Sequence, residues 1–151
     1  MAEHVLRRLA GLPEWVAEPE VTFSIFGERG SIDVLAWHER RRALLIIEVK
    51  TALDDVGGLL RQVDRYRRLA KDIAKSRGWR PSVVAVWVVV ADGRTARRRL
   101  DVHRGTLRRA FPIDGRAMEH WLRSPAQAIS ALSFVPIARP AKTGRRRAVA
   151  A

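Results

Sequence analysis

Apolar residues recur along the chain with two different periods, and the changes of period mark its elements. Val5, Leu6, Leu9 and Leu12 recur at helical spacing and stop at Gly11-Leu12-Pro13, predicting a short helix over His4 to Leu12. Val21, Phe23 and Ile25 then alternate with Thr22, Ser24 and Phe26, which predicts a strand ending at the turn Gly27-Glu28-Arg29-Gly30. A second strand follows from Ser31 to His38. A third, rich in aliphatic and β-branched residues, runs from Ala43 to Thr51, after the polar break Glu39-Arg40-Arg41-Arg42. From Leu53 to about Arg77 the period is helical. Leu59, Val63, Tyr66, Ala70 and Ile73 form one stripe, and Arg61, Arg65, Arg68 and Lys71 lie away from it.

Gly78-Trp79-Arg80-Pro81 breaks that helix. The valine-rich run Ser82 to Ala91 reads as a strand buried on both faces and therefore central. After the turn Asp92-Gly93, Thr95 is placed to cap a basic helix through about Ala110. A shorter helix covers Arg116 to Arg123, and a last strand Ala131 to Ile137. Residues 1–137 read as one domain. Residues 138–151 carry Arg139, Lys142, Arg145, Arg146 and Arg147 without an acidic residue, and read as a flexible basic tail. The order of elements predicts an α/β sandwich with a mixed sheet.

Composition narrows the function. A chain of 151 residues is the size of one domain, and a net charge of +13 points to an acidic polymer as partner. The absence of cysteine excludes disulfides and thiolate chemistry and suits a reducing compartment, so a cytoplasmic location is expected. Met1 to Leu12 lacks the apolar stretch of a secretory signal, and Val83 to Ala91 is too short to span a bilayer, so no membrane role is expected.

Asp33, Glu48 and Lys50 stand within the apolar second and third strands. Unpaired charges in such runs cost several kcal/mol, so the three must pair with one another, hold a cation, or both. If the intervening loop is symmetric, residues whose numbers sum to 81 face each other, which puts Asp33 opposite Glu48. Lys50, two positions on, shares their face. A one-residue bulge would undo this register.

Asp33 followed by Glu48-Val49-Lys50 resembles the signature of the PD-(D/E)xK phosphodiesterase superfamily, over roughly Glu3 to Ala91. The resemblance implies a restriction-endonuclease-like α/β/α sandwich with a central mixed sheet. It also implies Mg²⁺, or Mn²⁺ in its place, held by Asp33, Glu48 and the main-chain carbonyl of Val49, with Lys50 positioning or activating the attacking water. Ile32 stands where the superfamily's name has proline. Gln62 and Tyr66 resemble the QxxxY element of the exonuclease-like branch, whose Gln reaches toward the site; Tyr66 itself lies on the apolar stripe and reads as a core residue.

Many members add an acidic residue from the opening helix, where only Glu3 stands. Glu14, Glu18 and Glu20 lie just beyond it. Glu28, in the turn before Asp33, is within reach of the metal but reads first as a solvated turn residue. Gly27 to Asp33 and Thr95 to Arg99 also resemble nuclease-fold domains found behind helix-turn-helix DNA readers in some bacterial regulators. That likeness implies a separate helix-turn-helix protein as a partner. Nucleases of this fold pair to cut both strands, which implies a homodimer.

Arg94, Arg97, Arg98, Arg99, Arg104 and Arg108 crowd one helical stretch, with Arg109, and read as a surface tracking DNA phosphates. The four histidines lack metal-ligand spacing, and Gly57-Gly58 lacks the Lys and Ser/Thr of a phosphate loop. Together these features predict a Mg²⁺-dependent deoxyribonuclease using Asp33, Glu48, Lys50 and Gln62. The competing expectation is a nuclease scaffold kept as a DNA-binding regulatory domain with little or no turnover. The plainest alternative is an ordinary ion pair at a strand end.

Overall fold

The structure, a computed structural model, describes residues 1–136; the basic tail predicted from Ala138, and Ile137 before it, lie outside the described residues. The elements are α1 Ala2–Ala10, β1 Trp15–Ile25, β2 Glu28–His38, β3 Ala43–Lys50, α2 Val56–Lys75, β4 Val83–Ala91, α3 Arg94–Val102, α4 Arg104–Ala110, α5 Gly115–Arg123 and β5 Ser130–Val135. The strands form one mixed sheet in the order β1-β2-β3-β4-β5. β1–β2 and β2–β3 are antiparallel, whereas β3–β4 and β4–β5 are parallel. Parallel neighbours require a crossover, supplied by α2 for the first pair and by α3 to α5 for the second.

Alternate residues of the central strands feed two separate cores. Leu44, Ile46, Val86, Val88 and Val90 pack with Leu59, Val63, Tyr66, Leu69 and Ile73 of α2 and with Leu100 and Leu107 of α3 and α4. Ala43, Leu45, Ile47, Ala85, Trp87 and Val89 pack with Val5 and Leu9 of α1 and with Met118, Trp121 and Leu122 of α5. Helices thus cover both sheet faces, which is why β3 and β4 read as continuous apolar runs. The protein is α/β, as the element order predicts. No helix among the described residues is long and apolar enough to cross a membrane.

Several boundaries differ from the sequence reading. β2 begins at Glu28 rather than Ser31, because the predicted turn Gly27 to Gly30 is the two-residue turn Phe26-Gly27 and Glu28 already pairs with Ile25. α2 begins at Val56 rather than Leu53, because the Asp55 side chain accepts the Gly58 N–H at 2.8 Å and caps it. The single basic helix predicted over Thr95 to Ala110 is two helices. The chain leaves helical geometry at His103 (φ −107°, ψ 23°), Gly93 rather than Thr95 precedes α3, and no side chain caps it.

β1 starts at Trp15, not near Val21, and its alternation reverses partway along. Trp15 and Ala17 pack in the α1–α5 core, Val21 and Phe23 in the α2 core; on β2, Val34 and Ala36 belong to the former and Ile32 to the latter. Both reversals fall at Glu20 (φ 49°), which would face Asp33 at the one step missing from the β1–β2 ladder.

Candidate active site

The β2–β3 register follows the predicted sum of 81, from His38↔Ala43 to Val34↔Ile47, and there the ladder ends. At the next step the Asp33 side chain replaces backbone pairing, its Oδ2 accepting the Val49 N–H at 2.7 Å. The two strands part at this point, and a carboxylate fills the gap. A strand residue's N–H and C=O leave on the same edge, so the Val49 carbonyl also faces the gap.

Glu48 lies beyond the last rung, in register with Val88 of β4, on the side of the sheet covered by α2. It is 4% exposed. Lys50 Nζ is 3.8 Å from Glu48 Oε1 and is itself partly open to solvent. Burial and then the adjacent Asp33 carboxylate push the Glu48 carboxyl up to about 8, against the pull of Lys50. Glu48 Oε2 is buried without a hydrogen-bond partner. The neighbouring Tyr66 hydroxyl donates its single proton to the Ser31 carbonyl at 2.7 Å and accepts from Gln62 Nε2 at 2.9 Å. Burial foremost, then the Glu48 charge, raise the Tyr66 hydroxyl to about 12, so it stays protonated and fixed.

Gln62 stands one helical turn before Tyr66 on α2 and is fastened to it, and Tyr66 in turn to Ser31 of β2. A cavity of about 460 Å³ opens beside Lys50 and Gln62, lined also by Asp54, Asp55, Arg61 and Arg65. A smaller hollow of about 260 Å³ adjoins it across Ala52 and Leu53 and is lined by Arg94 and Arg99 of α3. Arg61 and Arg65 were not singled out as site residues by sequence. Their only signal is their place beside Gln62 on the polar side of α2.

The predicted phosphate-tracking arginines divide into two groups. Arg94, Arg98 and Arg99 are exposed and make no ion pair among the described residues, whereas Arg97 and Arg104, although also exposed, are paired. Arg97 is held by Asp92 at 2.6 and 3.0 Å and lies over the Phe134 ring, Arg104 pairs with Asp101, and Arg108 donates to the Leu132 carbonyl at 3.0 Å. The extra carboxylates are also placed. Glu28 forms a two-pronged pair with Arg68 at 2.8 Å rather than a solvated turn, Glu14 meets His38 and Arg40, and Glu18 meets Arg77. Glu3 is on α1, which covers the opposite face of the sheet, and Glu20 is exposed.

Two carboxylates, one with an unmet buried oxygen, and a carbonyl at the same strand gap are hard donors of the kind Mg²⁺ and Mn²⁺ prefer. The residues fit such an ion, although no group of three His, Cys, Asp or Glu side chains among the described residues is arranged to hold one. No family model matches the chain, and comparison with curated proteins and with solved structures finds no match either.

Proposed function

We propose that the chain is a metal-dependent phosphodiesterase of the PD-(D/E)xK type acting on DNA, built on a restriction-endonuclease-like scaffold. The observation that carries this reading is Glu48 Oε2, buried and partnerless, beside the Asp33 carboxylate. Ionising Glu48 here is costly, because it is buried beside the Asp33 carboxylate with only the partly exposed Lys50, at 3.8 Å, as counter-charge, and such a cost is commonly met at functional sites.

Asp33, Glu48 and the Val49 carbonyl would hold Mg²⁺, or Mn²⁺ in its place. A bound ion of this kind polarises a phosphoryl oxygen and acidifies its water. Lys50, partly open to solvent 3.8 Å from Glu48, would orient the attacking water and offset charge developing on the phosphoryl oxygens. Gln62, fixed through Tyr66, positions the water or the strand being cut. Arg94 and Arg99 hold flanking phosphates. Purified protein with Mg²⁺ should nick supercoiled DNA, and Asp33→Asn or Lys50→Ala should abolish nicking; undiminished cleavage by both variants would refute the assignment.

A second reading, a DNA-binding regulatory domain with little turnover, is favoured by the commitment of Glu14, Glu18 and Glu28 to Arg40, Arg77 and Arg68, away from Asp33. It predicts salt-sensitive DNA binding that needs no divalent ion and survives Asp33→Asn.

A further inference from the structure

The tip of the β1–β2 hairpin has no part in the site above. Ile25 pairs with Glu28, so Phe26 and Gly27 form a two-residue turn, and both have positive φ, 52° and 79°. That geometry suits Asn-Gly, whereas a bulky side chain in it is strained. The Phe26 ring is also 85% exposed, so burial gives nothing in return. Neither the turn nor the core accounts for an aromatic ring here.

Below the tip the hairpin is fastened to α2. Arg68 grips Glu28, Arg65 Nη2 donates to the Arg29 carbonyl at 2.7 Å, and Phe23 meets Tyr66 edge-on at 6.0 Å. Phe26 is thus carried on an arm anchored to the helix that presents Gln62 and Tyr66. Six residues separate it from Asp33, a span of about 20 Å along the turn and β2. The exposed Arg29 follows the tip, and the Arg65 guanidinium lies over the Phe23 ring at 5.6 Å.

We propose that Phe26 is a stacking finger that takes up an unpaired base of the bound DNA, so that the preferred substrate contains a single-stranded stretch near the scissile phosphate. The inference rests on the phosphodiesterase reading and deepens it by naming a substrate class. Stacking suits the role because every base presents a π face, and the cationic surroundings hold the backbone.

The test uses the full chain in EDTA, with a fluorescent single-stranded oligonucleotide and a blunt duplex of the same sequence. Phe26→Asn fits the turn, and an unchanged or higher Tm verifies its folding; Phe26→Trp keeps a ring. Phe26→Asn should weaken single-strand binding about tenfold or more while leaving duplex binding within about twofold, and Phe26→Trp should bind like the wild type. Unchanged single-strand affinity in Phe26→Asn, or equal losses on both substrates, overturns the proposal. So does a wild-type dimer that Phe26→Asn dissolves, which would assign the ring to a second copy of the chain. Asp33-dependent nicking is scored separately: nicking without Phe26-dependent binding removes only the finger, and the converse removes only the enzymatic reading.

Discussion

Asp33 Oδ2 accepts the Val49 N–H at 2.7 Å, one step past the last backbone rung between β2 and β3. One carboxylate thereby closes a sheet defect and faces the same gap as Glu48. Structural and catalytic roles at Asp33 are therefore separable. Asp33→Ala leaves a backbone donor unmet and should cost about 1–3 kcal/mol in denaturant unfolding. Asp33→Asn retains an acceptor oxygen, so its Tm should stay near wild type while nicking is lost. Equal destabilisation by both variants would show that the acceptor is not what matters.

Glu48 makes stability depend on pH. Its carboxyl is raised to about 8 in the folded protein, so between its unfolded value of about 4.3 and that point the folded state binds the additional proton. Its contribution is full below pH of about 4.3 and is lost as pH rises through about 8. In EDTA, wild-type Tm should fall between pH 5 and pH 8.5 by several degrees more than that of Glu48→Gln, and Mg²⁺ should restore it at the alkaline end. Parallel curves for the two proteins would contradict the raised Glu48 carboxyl.

Gly30 permits the hairpin to meet α2. A Cβ there would lie 2.3 Å from Arg65 Nη2 and 2.6 Å from the buried Phe23 ring. Gly30→Ala should destabilise by about 1–3 kcal/mol. Gly105→Ala, in a helix with nothing within 4 Å, should be neutral or stabilising by up to about 1 kcal/mol.

Arg94, Arg98 and Arg99 are exposed and make no ion pair among the described residues, whereas Arg97 and Arg104 are already paired with aspartates. Replacing the first three by Ala should reduce the slope of log affinity against log salt by about 0.9 for each duplex phosphate that is no longer neutralised. Arg104→Ala should leave it nearly unchanged. Identical slopes for the triple variant and wild type would move the DNA surface elsewhere.

Much of this arrangement is legible in the order of residues alone. A symmetric polar loop between two apolar runs fixes the sum-of-81 register as far as Val34↔Ile47, and period two puts Glu48 and Lys50 on one side of β3; the predicted facing of Asp33 and Glu48 falls one step beyond the ladder, where Asp33 instead accepts the Val49 N–H. The apolar stripe of α2 gives its buried face, and with it the burial of Tyr66. The reversal of faces in β1 is hidden because it depends on positive φ at Glu20, a residue with no local demand for that conformation. Nor does order along the chain show that Arg97 finds Asp92, or that Glu28 finds Arg68 forty residues away, since those pairs are set by packing. The unmet oxygen of Glu48 is likewise a property of burial.

Calorimetric titration of Mn²⁺ into the full chain near pH 7, repeated in two buffers of different ionisation enthalpy, tests the central claim most directly. The account predicts binding of one ion with net proton release, because Glu48 must ionise to serve as a ligand, and loss of binding in both Asp33→Asn and Glu48→Gln. Binding that both variants leave intact, or none by the wild type, would contradict it.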